Sequence, residues 1–132
     1  MTGEKRRVRI EITDGVVYKA TDDDGKSSDP YVQIGECDDG KWGKKLLETP
    51  VQKKTLQPKW NYTGETIIKM KQDIIIRMYD QDTFFDDYVG QYITYYNGTT
   101  NSMELKLSQN GEAIPKMVNA TVNIKFTDLG SA

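Results

Sequence analysis

The chain has 132 residues, of which 36% are hydrophobic and 29% charged, and its formal net charge is −2. This length suits one domain with one core, so we expect residues 1–132 to form a single domain. There is no His and only one Cys, Cys37. The composition therefore excludes Ser-His-Asp and Cys-His catalysis, a zinc site built from His and Cys, and an internal disulfide, and we expect no enzyme.

The N-terminal residues carry charge but no apolar run of signal-peptide length. No stretch approaches the roughly 18 apolar residues of a membrane-spanning helix. We therefore expect a cytoplasmic protein whose contact with membranes, if it has any, is peripheral.

Hydrophobic alternation predicts strands along the whole chain, and stripes with the period of a helix are lacking. The clearest predicted strands are Val8–Ile12, Ile74–Met78, Met103–Leu107 and Ala120–Phe126. Weaker signals are Tyr31–Ile34, the basic segment Lys44–Lys54, Thr63–Met70 and Tyr88–Tyr95. About eight short strands separated by Gly, Asn, Asp and Pro turn signals predict an all-β sandwich or barrel.

Two acidic clusters, at residues 22–31 and 80–90, interrupt this pattern about fifty residues apart. The first joins predicted strands one and two and is called loop 1; the second joins strands five and six and is called loop 3. Because Asp titrates near ~3.9, these carboxylates repel one another at neutral pH, and a divalent cation would relieve the repulsion. The loops of a sandwich gather at its two ends, so both clusters can contribute to one calcium site.

An EF-hand does not explain the second cluster. Counting from Asp80, the sixth position is Phe85 where Gly is needed, and the twelfth is Gln91 where Glu is needed.

Three motifs resemble those of C2 domains, in the same order and at similar separations. They are Ser28-Asp29-Pro30-Tyr31-Val32, Thr55-Leu56-Gln57-Pro58-Lys59-Trp60-Asn61, and Tyr79-Asp80-Gln81-Asp82 closing on Asp87-Tyr88-Val89-Gly90. The resemblance covers essentially the whole chain and is greatest to short proteins with a single C2 domain. It implies an eight-stranded antiparallel β-sandwich, and the single strand before loop 1 resembles the type II topology.

The resemblance also implies calcium ligands at matching positions. Asp23 lies six positions before Asp29, as the first ligand does in the family. The implied ligands are Asp23, Asp29, Asp80, Asp82 and Asp87, with backbone carbonyls of Asp24 and Gln81 as additional donors, and the implied cofactor is one to three Ca²⁺ ions.

Loop 3 is one residue shorter than the family pattern between Asp82 and Asp87, which leaves alternatives open. Asp86 can replace Asp87 or add a ligand. Asp22 or Asp24 can compete with Asp23. The alternative for the extra acidic residues is that they are solvated charges.

The implied partner is an anionic phospholipid membrane, either phosphatidylserine or a phosphoinositide. Neutralising five aspartates would change the formal net charge from −2 to +3, so anionic headgroups could approach. Phe84 matches a position where membrane-docking C2 domains often carry an apolar residue, and Phe85 follows it. Both are candidates for membrane insertion; the alternative is packing beneath the loop.

A basic stretch, with Lys44, Lys45, Lys53 and Lys54, resembles the phosphoinositide-binding surface of some C2 domains only weakly. The alternative is an ordinary solvated strand face. Nucleic acid is not an expected partner, because the sequence pI is about 5.2 and no aromatic residues interleave with the basic run. Trp60 is predicted to fill the edge of the core.

The sequence therefore predicts a calcium-dependent phospholipid-binding module that docks on anionic membranes through loops 1 and 3. It would be a monomeric peripheral sensor or adaptor that associates with the membrane when calcium rises. The alternative is a calcium-independent C2 scaffold that binds a protein partner.

Overall fold

A computed structural model describes residues 4–18 and 28–132. The candidate ligands Asp22, Asp23 and Asp24 in loop 1 lie outside the described residues. The strands, in chain order, are β1 (Lys5–Val17), β2 (Pro30–Asp38), β3 (Lys41–Glu48), β4 (Lys59–Lys69), β5 (Asp73–Asp80), β6 (Asp87–Tyr95), β7 (Asn101–Leu107) and β8 (Ala120–Ser131). Across the described ranges, no helix is long and apolar enough to cross a membrane.

The eight strands form two four-stranded antiparallel sheets, with the orders β4-β1-β8-β7 and β3-β2-β5-β6. The predicted eight-stranded antiparallel β-sandwich is therefore confirmed. The last strand, β8, lies between β1 and β7. The type II permutation stays a prediction.

The core forms between the two sheets, and strand alternation explains which residues enter it. In β1, Val8, Ile10 and Ile12 are fully buried, while their sequence neighbours are partly or fully exposed. They belong to the same buried cluster as Ile34 of β2 and Ile76 of β5. Each such side chain contributes about 1.5–3 kcal/mol on burial, which fixes the register, because a shift by one residue would expose the whole set.

Four connections meet at one end of the sandwich, which we call the loop end. Val17 pairs with Ala120, and Pro30 pairs with Asp80, whose other neighbour in the sheet is Asp87. The connections are loop 1 (residues 18–29), the β3–β4 loop (49–58), loop 3 (81–86) and the β7–β8 loop (108–119). The sequence expectation that loops 1 and 3 belong to the same end is thus supported by the strands that bear them.

Trp60 joins the two sheets near the loop end and confirms its predicted core position. Its side chain is 6% exposed, and its indole Nε1 donates a hydrogen bond of 3.1 Å to the carbonyl of Pro30. The ring fits because Gly15 lies beneath it: a Cβ there would be 2.3 Å from the carbonyl oxygen of Thr121. Trp60 therefore fixes the first residue of β2, directly after Asp29.

The predicted basic strand Lys44–Lys54 is wrong in its extent. β3 ends at Glu48, and Lys53 and Lys54 lie in the β3–β4 loop. The ladder ends because the next two residues do not continue it. Thr49 turns inward and its Oγ1 accepts a 3.0 Å hydrogen bond from the Val32 amide, and Pro50 has no N–H to donate.

At the opposite end, Asp128 connects the first and last strands. Its carboxylate accepts hydrogen bonds from Arg6 Nε at 3.0 Å and Arg6 Nη2 at 2.5 Å, and from the Tyr96 hydroxyl at 2.7 Å. These donors, Arg6 first, hold the pKa of Asp128 well below its usual range. Because the folded pKa is below the unfolded one, the resulting stability is complete above about pH 4 and is lost as the pH falls further.

We expect Asp128→Asn to lower the free energy of unfolding at pH 7 by about 1 kcal/mol, because the charge-assisted hydrogen bonds are lost. The difference from the unmutated chain should shrink as the pH is lowered to 3. Urea unfolding at several pH values measures it. Asp39→Asn, in the exposed β2–β3 hairpin, is the matched control and should follow the unmutated chain; a difference at position 128 that does not vary with pH would contradict the account.

Candidate functional site

The candidate site is organised by the carboxylate of Asp80, the last residue of β5. This side chain is only 1% exposed, and its Oδ1 accepts a 2.6 Å hydrogen bond from the backbone N–H of Asp29. The backbone N–H of Gln81 returns a 3.0 Å hydrogen bond to the carbonyl of Asp29. The end of loop 1 and the start of loop 3 are therefore held together, as the sequence expectation of one site from two loops requires.

Asp82 and Asp87 are exposed. Asp87 is the first residue of β6 and lies opposite Asp80 in the sheet, and its side chain forms no hydrogen bond or ion pair with the residues that the structure describes. Asp82 accepts a 2.6 Å hydrogen bond from the Thr83 amide on Oδ1. Both carboxylates therefore face solvent with oxygen atoms available to a ligand.

Asp86, the alternative to Asp87, is engaged within the protein instead. Its Oδ1 accepts a 3.2 Å hydrogen bond from the Asp82 amide, and its Oδ2 accepts one from the hydroxyl of Tyr31. Burial raises the pKa of Tyr31, and the hydrogen bond to Asp86 raises it further, so the phenol stays protonated and keeps donating. This arrangement makes Asp86 a brace across the base of loop 3.

A row of three tyrosines supports this brace. Tyr31 of β2 stacks on Tyr79 of β5 with ring centroids 5.7 Å apart, and Tyr79 meets Tyr88 of β6 edge to face at 6.1 Å. The Tyr88 hydroxyl donates a 2.7 Å hydrogen bond to the carbonyl of Gln109. The row therefore connects loop 3 to the β7–β8 loop.

Two lysines of the β3–β4 loop reach the same region. Lys53 Nζ donates a 3.0 Å hydrogen bond to Gln81 Oε1, and the backbone N–H of Lys54 donates one of 2.7 Å to Asp29 Oδ1. Lys54 has a φ of 47°, in the left-handed region. The β3–β4 loop is thus tied to both candidate ligand segments and brings positive charge to the loop end.

The donor set of this site is chemically suited to calcium. Carboxylate and carbonyl oxygens are the ligands that Ca²⁺ prefers, and nitrogen or sulfur donors are not among the predicted ligands. Within residues 4–18 and 28–132, no group of three acidic, His or Cys side chains is close enough to hold a metal by itself. Asp23, which the resemblance implies as the partner of Asp29, lies outside those ranges.

Phe84 and Phe85 stand at the tip of loop 3 and are 87% and 83% exposed. Exposure at this level contradicts the alternative in which they pack beneath the loop. Two adjacent exposed phenylalanines at a loop tip form an apolar contact point for another surface.

The other two lysines, Lys44 and Lys45, lie away from the loop end. They line an open groove of about 550 Å³ between β1, β3 and β4, together with Lys5, Arg7 and Lys69 and the acidic residues Glu36 and Glu65. Lys45 also forms a 3.3 Å ion pair with Glu48. The basic stretch of the sequence is therefore divided between two separate surfaces.

Comparison with known proteins identifies the fold family. The family model for the C2 domain matches residues 6–110. The chain belongs to the C2 domain family.

Similar proteins fall within that family. The chain is 35% identical over 86 residues to GTPase activating protein 1 of Oryza sativa subsp. indica, a match that covers 63% of this chain and 46% of the relative. This chain thus spans about half the length of that relative. A C2 domain of plant Extended Synaptotagmin 1 superposes with a TM-score of 0.73 at 17% identity, covering 95% of each chain.

The two calcium-bound C2 domains of Extended-Synaptotagmin 2 give a TM-score of 0.74 at 20% identity. That match covers 98% of this chain and 48% of the other. At these identities the two structures show the C2 fold and nothing more specific about this chain.

Sequence reasoning missed the contact between Tyr31 and Asp86. Tyr31 was identified only as part of the Ser28–Val32 motif, and Asp86 only as a spare acidic residue. A hydrogen bond between residues 55 positions apart depends on strand pairing, which the local pattern does not reveal.

We expect Tyr31→Phe to loosen loop 3, because Asp86 would lose one of its donors. Stability should fall by about 1 kcal/mol, and hydrogen exchange of the Asp82 amide should accelerate. Tyr79→Phe is the matched control, since its hydroxyl makes only a 3.5 Å contact with Arg77 Nη1. Unchanged exchange at Asp82 in Tyr31→Phe would contradict the role of the brace.

Proposed function

We propose that this C2 domain is a calcium-dependent phospholipid-binding module that docks on anionic membranes through loops 1 and 3. The observation that carries the proposal is the combination, in loop 3, of exposed carboxylates with exposed Phe84 and Phe85. Such acidic and apolar side chains on one short loop suit a surface that first needs charge neutralisation and then enters an interface.

The residues proposed to hold calcium are Asp29, Asp80, Asp82 and Asp87, with Asp23 of loop 1 and the backbone carbonyls of Asp24 and Gln81 as further donors. When bound, the ion would supply positive charge that neutralises these aspartates and leaves positions for headgroup oxygens. Asp86 is assigned to bracing the loop, because both of its oxygens already accept hydrogen bonds.

Each part of the loop end has a separate role in this proposal. The Asp29–Asp80 contact keeps the two loops together, so less ordering is required when a ligand binds. Lys53 and Lys54 add cations close to the acidic residues, each worth about 1 kcal/mol near an anionic membrane. Phe84 and Phe85 would enter the region between headgroups and acyl chains. The chain would thus act as a peripheral sensor or adaptor in the cytoplasm.

Calcium binding predicts stabilisation of the folded state. At about 100 times the dissociation constant, the ion should add about 2.7 kcal/mol to the free energy of unfolding, measured as a higher melting temperature with calcium than with chelator. Asp82→Asn removes an exposed ligand and should reduce this shift, whereas Asp39→Asn makes the same charge change at the opposite end and should retain it.

No shift of the unmutated chain at millimolar calcium would overturn the proposal. If the protein then bound vesicles in chelator as well as in calcium, or bound a protein partner with no effect of calcium, the calcium-independent scaffold would be favoured.

Membrane insertion predicts a separate effect of the phenylalanines. Phe84→Ala with Phe85→Ala should weaken calcium-dependent binding to vesicles of phosphatidylserine and phosphatidylcholine at least roughly tenfold, because about 1.4 kcal/mol of apolar burial corresponds to that factor. The melting shift with calcium should persist, since neither ring is part of the core.

Tyr95→Ala, which truncates an exposed aromatic residue at the opposite end, should bind vesicles like the unmutated chain. Equal losses of vesicle binding and of the calcium shift in the phenylalanine variant would show that the rings support the loop rather than enter a membrane.

A further inference from the structure

The β7–β8 loop exposes two large apolar side chains, Ile114 at 91% and Met117 at 74%. This exposure is comparable to that of Phe84 and Phe85, and greater than that of every other exposed large apolar side chain in the described residues. Isolated apolar side chains are common on protein surfaces, but two such residues three positions apart in one loop form a local apolar patch.

This loop begins and ends at the same end of the sandwich as loop 3. Its flanking residues Leu107 and Ala120 pair with each other, and Ala120 also pairs with Val17, the last residue before loop 1. Asn119 Nδ2 donates a 2.8 Å hydrogen bond to the carbonyl of Val89, two residues after Asp87. The loop is therefore attached to β6 directly beyond loop 3.

The base of the loop is held firmly while its apolar residues stay exposed. The amide of Ile93 donates a 3.2 Å hydrogen bond to the carbonyl of Gly111, and the Gly111 amide donates one of 3.0 Å to Ser108 Oγ. Gly111 has a φ of 83°, and a Cβ there would lie 2.9 Å from Ile93 Cγ1. These contacts position the segment that carries Ile114 and Met117 without burying either side chain.

The charges of the loop suit an anionic surface without any ion. Its two charged residues are Glu112, whose carboxylate accepts a 2.9 Å hydrogen bond from Ser108 Oγ, and Lys116, which is exposed between the two apolar residues. Loop 3, in contrast, contains Asp82 and Asp86 and is followed by Asp87. A lysine beside apolar side chains can extend its ammonium to headgroup phosphates while its neighbours enter the interface.

We propose that the β7–β8 loop is a second membrane-docking element, which inserts Ile114 and Met117 into an anionic bilayer beside Phe84 and Phe85. This inference rests on the proposed function, because it extends the same membrane contact. Its occupant is a lipid surface, since the two apolar pairs belong to the same end of the sandwich and a lysine accompanies this one. The contact of loop 3 depends on calcium, whereas that of the β7–β8 loop depends on apolar burial and Lys116.

The first test removes the apolar atoms. Ile114→Ala with Met117→Ala should weaken binding to phosphatidylserine and phosphatidylcholine vesicles roughly tenfold in saturating calcium, while the calcium-induced rise in melting temperature is unchanged. Tyr95→Ala, an exposed residue at the opposite end, should bind normally. Vesicle binding that is unaffected by the double substitution would overturn the inference.

The second test places a probe at the proposed contact. The single cysteine, Cys37, is 5% exposed, so an environment-sensitive fluorophore can be attached selectively to Ile114→Cys, Phe84→Cys or Tyr95→Cys. With calcium and vesicles, emission at positions 114 and 84 should shift to the blue, and emission at position 95 should not.

The pattern separates the two proposals. A shift at position 84 without one at 114 would overturn this inference and leave the proposed function standing. No shift at either position, with no vesicle binding by the unmutated chain, would overturn the proposed function and this inference with it. Labels at both 114 and 95 that shift equally would also contradict a contact confined to the loop end.

Discussion

A buried carboxylate governs the loop end of this C2 domain. Asp80 is almost fully excluded from solvent, and burial of a charge is costly unless hydrogen bonds compensate for it. The backbone N–H of Asp29 supplies one such bond at 2.6 Å. Because Asp29 precedes β2 and Asp80 ends β5, this requirement ties two distant segments together. The adjacent β2 and β5 strands, and Trp60 on the Pro30 carbonyl, hold the pair in register.

From this constraint follows a division of roles within loop 3. Asp86 accepts hydrogen bonds from Tyr31 and the Asp82 amide, so it shapes the loop. Asp82 and Asp87 are exposed, and Phe84 is exposed at the tip. The residues that face inward therefore determine the shape of the loop, and the residues that face outward are available to a ligand. A loop braced in this way would need little reorganisation when it meets an ion or a membrane.

Much of this organisation can be predicted from sequence because its signals are local. Alternation predicted strands such as Val8–Ile12, since burial on one face imposes a period of two. The Lys44–Lys54 segment was extended too far, because an exposed edge strand has weak alternation and its end at Thr49 depends on a hydrogen bond to Val32 of the neighbouring strand. The positions of Tyr31 and Ile114 relative to loop 3 depend on strand pairing across the sheets, and no short stretch of sequence encodes it.

The account rests on the claim that the contact between Asp29 and Asp80 organises a calcium site at the loop end. A titration of the ¹⁵N-labelled chain with calcium, followed by two-dimensional amide NMR, tests this most directly. The account predicts saturable changes concentrated in loop 1 and in loop 3, including the amides of Asp29 and Asp82, with the β2–β3 hairpin around Asp39 unaffected. Amides at the loop end that do not respond to millimolar calcium, or responses spread evenly over the surface, would contradict it.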